Sequence, residues 1–379
     1  MNSLRIKAEN HFDRSIMPEE LVVKNGVFSL AGGSSDDTLD LFNIRILPGF
    51  IDVHNHGAVG YDVNSGNSDE LMRVAEFLAT QGVTSWMPTL VPDSDENYQR
   101  IIHAIDELMI RQVGLPVAQA VGVHYEGVFA NETMCGALRP EYFKSGCQLS
   151  VVSCQLPKLT SGVHMTTLAP EIDGGIELIE GLVADGWVVS IGHTRADTET
   201  LDRAYSAGAR HMTHFFNAMT GVHHRDVGVA GWGLASHGVT FDIIADGVHV
   251  HPEMLGVACR AKTADKVSLI SDSVAPTGLG DGEFELWGET VTVKDGRTQN
   301  ERGSIAGSVC TLLDCVRTMR SIGFSDADIA KMASTNPARL LGLDDRGSIE
   351  VGKRADLVGL DPDGKVVFTM IGGQMVELG

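Results

Sequence analysis

The chain lacks several features that would place it elsewhere. No apolar run approaches the roughly 18 uncharged residues needed to cross a bilayer, and the opening stretch MNSLRIKAENHFDR has no apolar core of a secretory signal. A cytoplasmic protein is the expectation. Basic residues are scarce: 29 Lys and Arg against 50 Asp and Glu leave a formal charge of -21. That balance argues against nucleic acid and anionic membranes as partners, because both are held by basic patches that release counterions. The 6 cysteines form no CxxC pair and no regular spacing, so neither a disulfide framework nor a zinc ribbon is expected, only buried reduced thiols. No GxGxxG follows the first strand-like run, which weighs against an open doubly wound sheet. Repeats and low-complexity tracts are absent.

What is present is a beat. The 379 residues, 43% of them hydrophobic and 21% charged, suffice for a large core. Strand-like apolar runs recur at 47–53, 83–90, 117–124, 162–168, 187–192, 209–214, 238–245 and 266–271. Between most of them lie helical spacings. DELMRVAEFLATQG (69–82) sets Leu71, Val74, Ala75 and Leu78 on one face, and GGIELIEGLVADG (174–186) sets Ile176, Ile179 and Val183 on another. Eight such units predict an α/β fold, a (β/α)8 TIM-like barrel. Both chain ends instead carry short alternating runs broken by Gly, Asn and Asp, read as antiparallel strands. Residues 1–46 and 346–379 are therefore expected to form a small β-sandwich domain, with residues 47–345 as the catalytic barrel. A β-hairpin is expected near 283–303, after the last barrel strand.

One short stretch, GFIDVHNHG (49–57), raises the chemical question. Alternate residues of a strand share a face, so His54 and His56 point the same way. Alone, such a pair caps a strand end as readily as it binds a metal. In a barrel, functional residues collect where strands end, and those positions here supply His54, His56, Glu126, His193, His214 and Asp272. Imidazoles suit zinc, iron and similar divalent ions, and a carboxylate can bridge two of them.

With these residues in place, the sequence resembles the amidohydrolase superfamily and, within it, the N-acetylglucosamine-6-phosphate deacetylase branch. The stretches PGFIDVHNHG, VHYEG, TLAPE (167–171), IGHT, THFFNAM (213–219), IADGVHV (244–250), SDSVAPTG (271–278), IAGSVCTL (305–312), TNPARLLGL and GSIEVGKRADLV carry the likeness over nearly the whole chain. It implies one or two divalent metals per chain. Glu126, His193 and His214 would hold the main ion, and His54, His56 and a bridging Glu126 a second. It implies Asp272 as the acid/base group, taking a proton from attacking water and handing it to the departing nitrogen. His249 would be a substrate ligand. Asn217 and Ala218 would meet the phosphate, as would Arg225 reaching over from a neighbouring subunit of a homodimer, with further substrate contacts from Ala137 and Ile305. His124 is expected behind the metal ligands, His251 at a helix start, His211 in local bonding, and His11, His103, His164 and His237 in ordinary roles.

The implied reaction is removal of the N-acetyl group from N-acetylglucosamine 6-phosphate, a small-molecule amino sugar. The branch's EGPF and KGAH read here Glu126-Gly127-Val128-Phe129 and Cys135-Gly136-Ala137-Leu138. Two donors are lost from a loop over the sugar, which keeps N-acetylgalactosamine 6-phosphate and unphosphorylated N-acetyl sugars open. A cyclic amide or N-acyl amino acid substrate would call for a lysine at the end of strand four, and TLAPE has none. A non-enzymatic scaffold would have lost ligands, and all six remain.

Overall fold

The computed structural model describes residues 4–9, 16, 20–29, 37–144 and 156–378. Cys147, Cys154 and His11 lie outside them.

Eight parallel strands form the barrel: Phe50–Asn55, Val83–Leu90, Gly122–Phe129, Val163–Leu168, Val188–Ile191, His211–Met212, Thr240–Ile244 and Val267–Ile270. Neighbours pair in chain order, and the ring closes where Asn55 bridges Ser273 in parallel and Asp272 N–H donates to His54 O at 3.0 Å. Strands covered on both faces are expected to be apolar throughout, and all residues of the first three are buried. Ile51, Val53, Met87, Met165, Ile244 and Ile270 fill the interior. The outer core lies between strands and helices.

Helix Ser68–Thr80 shows how the sequence builds one unit. Asn67 accepts from Asp69 N and Glu70 N while Glu70 bonds back, a capping box, and Leu71, Val74, Ala75 and Leu78 are buried as the spacing predicts. In helix Gly175–Ala184 the buried stripe is Leu178, Ile179 and Leu182. Val183, expected inside, is 37% exposed. The apolar run there is dense enough to admit two phases, and contact with the barrel selects the one centred on Leu178.

Two other expectations need correction. The run at 117–124 splits into a two-residue strand, Gln119–Ala120, and the true third barrel strand, Gly122–Phe129. Glu126 therefore lies within a strand and not after it, at a point where the register slips between Glu126 and Phe129. The insertion after strand eight is a three-stranded sheet, Gly282–Leu286, Glu289–Lys294 and Arg297–Asn300, not a single hairpin.

The chain ends make two small sheets. One orders Val27–Ser29, Glu20–Lys24, Leu4–Glu9 and Asp37–Phe42; the other orders Gln374–Met375, Val366–Ile371, Leu357–Leu360 and Arg45–Pro48. Ile6, Leu21, Val23 and Phe28 of the first share a core with Ile46, Leu357, Phe368 and Met370 of the second, as in a sandwich. One pair, Leu4–Glu9 with Asp37–Phe42, runs parallel, against the antiparallel expectation. The four described cysteines are free thiols. Cys259 and Cys315 are buried as expected, whereas Cys135 and Cys310 are partly exposed.

Candidate active site

Six side chains converge at the mouth of the barrel. His54 Nε2 lies 3.0 Å from His56 Nε2. Asp272 Oδ1 lies 3.4 Å from the first of these nitrogens and 3.3 Å from the second. On the other side His193 and His214 bring their Nε2 atoms within 3.1 Å, and Glu126 Oε1 approaches them at 3.2 and 2.9 Å. Glu126 Oε2 reaches back to His56 Nε2 at 3.2 Å. Two buried groups able to hold a metal ion result, His54–His56–Asp272 and Glu126–His193–His214.

The donor set tests whether a metal belongs here. His56 Nδ1 lies 3.1 Å from Thr89 O and His193 Nδ1 2.8 Å from Met134 O. A carbonyl only accepts, so each neutral ring carries its proton on Nδ1 and aims an Nε2 lone pair into the cluster. Lone pairs facing one another near 3 Å repel unless a cation lies between them. Carbonyl-anchored imidazoles beside carboxylates are the usual surroundings of a divalent ion, so these residues fit one. The electrostatics agree. Burial opposes a charge on His56, but Asp272 and Glu126 override it and raise its pKa to about 10. Burial likewise opposes a charge on His214, and Glu126 raises it to about 9. Burial pushes Glu126 upward, yet His54, His193 and His214 hold it well below the usual carboxylate range. Burial also pushes Asp272 upward, and His54 and His56 bring it below its ordinary value.

Three of the six are held in strained backbone: φ is +47° at His193, +34° at His214 and +51° at Asp272. Left-handed conformations at non-glycine residues persist only where the surroundings over-determine them. The bonds that do so were not legible in the sequence. Asp242 Oδ1 accepts from His214 N–H while its Oδ2 lies 3.0 Å from His211 Nε2. Glu171 accepts from Asn131 Nδ2 at 2.9 Å, Arg195 N–H at 2.8 Å and the Thr194 hydroxyl at 2.5 Å, gripping the loop that carries His193. Asp52 accepts from the Ser271 hydroxyl at 2.6 Å and ties strand one to strand eight.

His124 is buried behind the ligands, with Nε2 2.7 Å from Thr167 Oγ1 and its ring edge-on to His54. Burial and the neighbouring His54 lower its pKa well below the usual value. His211 bonds locally, and His251 caps helix Pro252–Lys262 by accepting from Glu253 N–H.

Above the cluster lies a cavity of about 300 Å³ lined by His249, Asn217, Ala218, Ala137 and Ile305, and also by Leu138 and Trp287. His249 Nδ1 is held 2.7 Å from Asp246 Oδ2. Arg225 does not line the cavity. It sits on an exposed loop with Nη1 2.7 Å from His224 Nε2. Trp287 had no signal in the sequence.

The amidohydrolase family model matches residues 45–376. N-acetylglucosamine-6-phosphate deacetylase of Bacillus subtilis (strain 168) is 35% identical over 379 residues, covering 96% of each chain. N-acetylgalactosamine-6-phosphate deacetylase of Escherichia coli O157:H7 is 34% identical over 334 residues, covering 88% of each. Among solved structures, the N-acetylglucosamine-6-phosphate deacetylase of Thermotoga maritima superposes with a TM-score of 0.84 at 34% identity, over 94% of each chain. That of Mycobacterium smegmatis gives 0.86 at 28% identity, over 99% of this chain and 100% of the other. With a family match over most of its length and a barrel mouth built from histidines and carboxylates, this chain belongs to the amidohydrolase family.

Proposed function

We propose that this protein is a divalent-metal-dependent deacetylase that hydrolyses the acetamide of N-acetylglucosamine 6-phosphate, giving the amino sugar 6-phosphate and acetate. The observation that carries the reading is the placement of Asp272, 3.3 Å from His56 Nε2 and in the same cavity as Glu126, His193 and His214. The relatives named for this reaction support it. One or two ions per chain, zinc, iron or similar, would be held by Glu126, His193 and His214 and by His54, His56 and Asp272. A divalent ion so held polarises an amide carbonyl and lowers the pKa of water. Asp272 takes the proton of the attacking water and delivers it to the leaving nitrogen, which needs hydrogen-bond reach to both. Glu126 spans both groups and keeps them at one spacing. His249, fixed by Asp246, orients the sugar or its carbonyl.

The phosphate falls to Asn217 and Ala218, which line the cavity. No lysine or arginine lines the cavity among the described residues. An exposed Arg225 reaching into a partner's cavity would supply the missing cation, so the active unit is proposed as a homodimer. The barrel of residues 47–345 carries this chemistry, and residues 1–46 and 346–379 form the accessory domain. A phosphorylated substrate, retained inside cells by its charge, fits a cytoplasmic enzyme. N-acetylgalactosamine 6-phosphate is the second reading. Leu138, 3% exposed, puts an apolar side chain in the cavity wall, and one relative bears that substrate's name.

The test is acetate release from both epimers, with and without the 6-phosphate, by protein of measured metal content. Equal rates on free and phosphorylated sugars overturn the phosphate reading. Undiminished activity in metal-free protein overturns the metal reading.

A further inference from the structure

Among the described residues five two-residue turns join antiparallel strands, and each has positive φ at both positions. They are Asn25-Gly26 (55° and 79°), Asp295-Gly296 (51° and 76°), Gly372-Gly373 (56° and 79°), Val59-Gly60 (48° and 90°) and Trp287-Gly288 (55° and 83°). Such turns select Gly, Asn or Asp at the first position because other side chains crowd the backbone in the left-handed region. Three of the five obey. Val59 does not, and Trp287 puts the largest side chain of all there, at the tip joining Gly282–Leu286 to Glu289–Lys294. Local preference disfavours Trp287, so its reason lies in what it touches.

Its indole Nε1–H donates to Asp62 Oδ2 at 2.9 Å, and its ring meets His56 edge-on, with centroids 5.3 Å apart. It packs beside Ala137 and Leu138, and all three line the cavity above the metal ligands. The cavity is two-sided. Asn217, Ala218 and His249 follow strands six and seven. Ala137 and Leu138 follow strand three, and Trp287 leans on His56, which follows strand one, across the barrel from the polar group. The acyl methyl is the most apolar end of an N-acylated hexosamine phosphate.

We propose that Trp287 is a specificity-determining residue whose indole, with Leu138, forms one wall of the acyl pocket and limits the acyl group to acetyl. The proposal rests on the deacetylase reading and adds which wall meets which end of the substrate. A longer acyl chain collides with the indole, and removing the indole opens the pocket toward Asp62.

The test compares kcat/KM for N-acetyl-, N-propionyl- and N-butyrylglucosamine 6-phosphate in the metal-loaded protein, wild type against Trp287→Gly and Trp287→Asn. Both replacements suit the turn's left-handed backbone, so either serves should the other fold poorly. A methylene in a tight apolar pocket is worth roughly 10–200-fold in discrimination. The butyryl-to-acetyl ratio is therefore expected to rise by about 10-fold or more in both small variants, whatever the absolute rates. Trp287→Phe keeps the wall and is expected to keep the acetyl preference. An unchanged ratio in the small variants overturns the proposal. So does an equal loss on all three substrates through KM, which would place the indole against the sugar ring, and so does a Phe variant as relaxed as the Gly one. Failure of the wild type to release acetate from the N-acetyl compound overturns the deacetylase reading and this inference together.

Discussion

Oε2 of Glu126 lies 3.2 Å from Nε2 of His56, though the other oxygen of the same carboxylate sits against His193 and His214. One side chain from strand three thus spans both histidine groups. Glu126→Gln keeps the shape and removes the charge that holds His56 and His214 together. It is expected to weaken metal binding by at least about 100-fold, more than loss of a supporting partner costs. It should also lower the melting temperature measured with excess metal, since binding to the folded state alone stabilises it. Metal content of the purified variant equal to wild type would count against the bridging role.

Asp272→Asn tests the proton carrier. The Glu126–His193–His214 group does not include Asp272, so that group should still load. Turnover should fall by roughly 10²–10⁴, the range for loss of a positioned acid/base. Single-turnover rates near wild type would reject the role.

Glu171 is expected to act through His193. It touches Thr194, Arg195 and Asn131 but does not line the cavity. Glu171→Ala should raise the rate of metal loss to a chelator by about 10–100-fold, as for other residues that orient metal ligands. Gln at this position should recover part of the effect. Unaltered chelation kinetics in the Ala variant would mean that the loop holds its shape without the carboxylate.

A pH effect is expected far from the metal ligands. Burial lowers the pKa of His164 below its usual 6.5, helped by Lys158, and its Nε2 accepts from Leu159 N–H at 2.9 Å. Protonation turns that acceptor into a donor and breaks the bond. The unfolded chain takes up the proton more readily than the folded one, so the contribution of His164 is complete above pH 6.5 and is lost as pH falls through the depressed folded value. Wild type should therefore lose stability faster than His164→Gln between pH 6.5 and 5 in parallel thermal melts. Parallel curves would place the titration elsewhere.

How much of this was legible depends on the range of the contact. His54 and His56 share a face because strand alternation is local, and their use could be read from the eightfold beat that put His193, His214 and Asp272 after strands and Glu126 near the end of one. The bounds of strand three, placed at 117–124 and found at Gly122–Phe129, and the buried phase of helix Gly175–Ala184 were misread, since neighbouring strands and the barrel surface decide them. Arg225 was named from resemblance, and a single chain leaves it in solvent.

The sequence by itself determined the strand-helix alternation, the inventory of ligands and the kind of chemistry they can perform, because periodicity and residue type act over a few positions. Tertiary structure alone decided that Asp242 anchors His214, that Glu171 grips the His193 loop and that Trp287 closes one wall above His56. Their separations along the chain, 28 residues for the first pair and 23 from Glu171 to Thr194, leave no local pattern. Only the closing of the barrel, which lowers the free energy by burying apolar surface between strands and helices, brings those atoms within bonding distance.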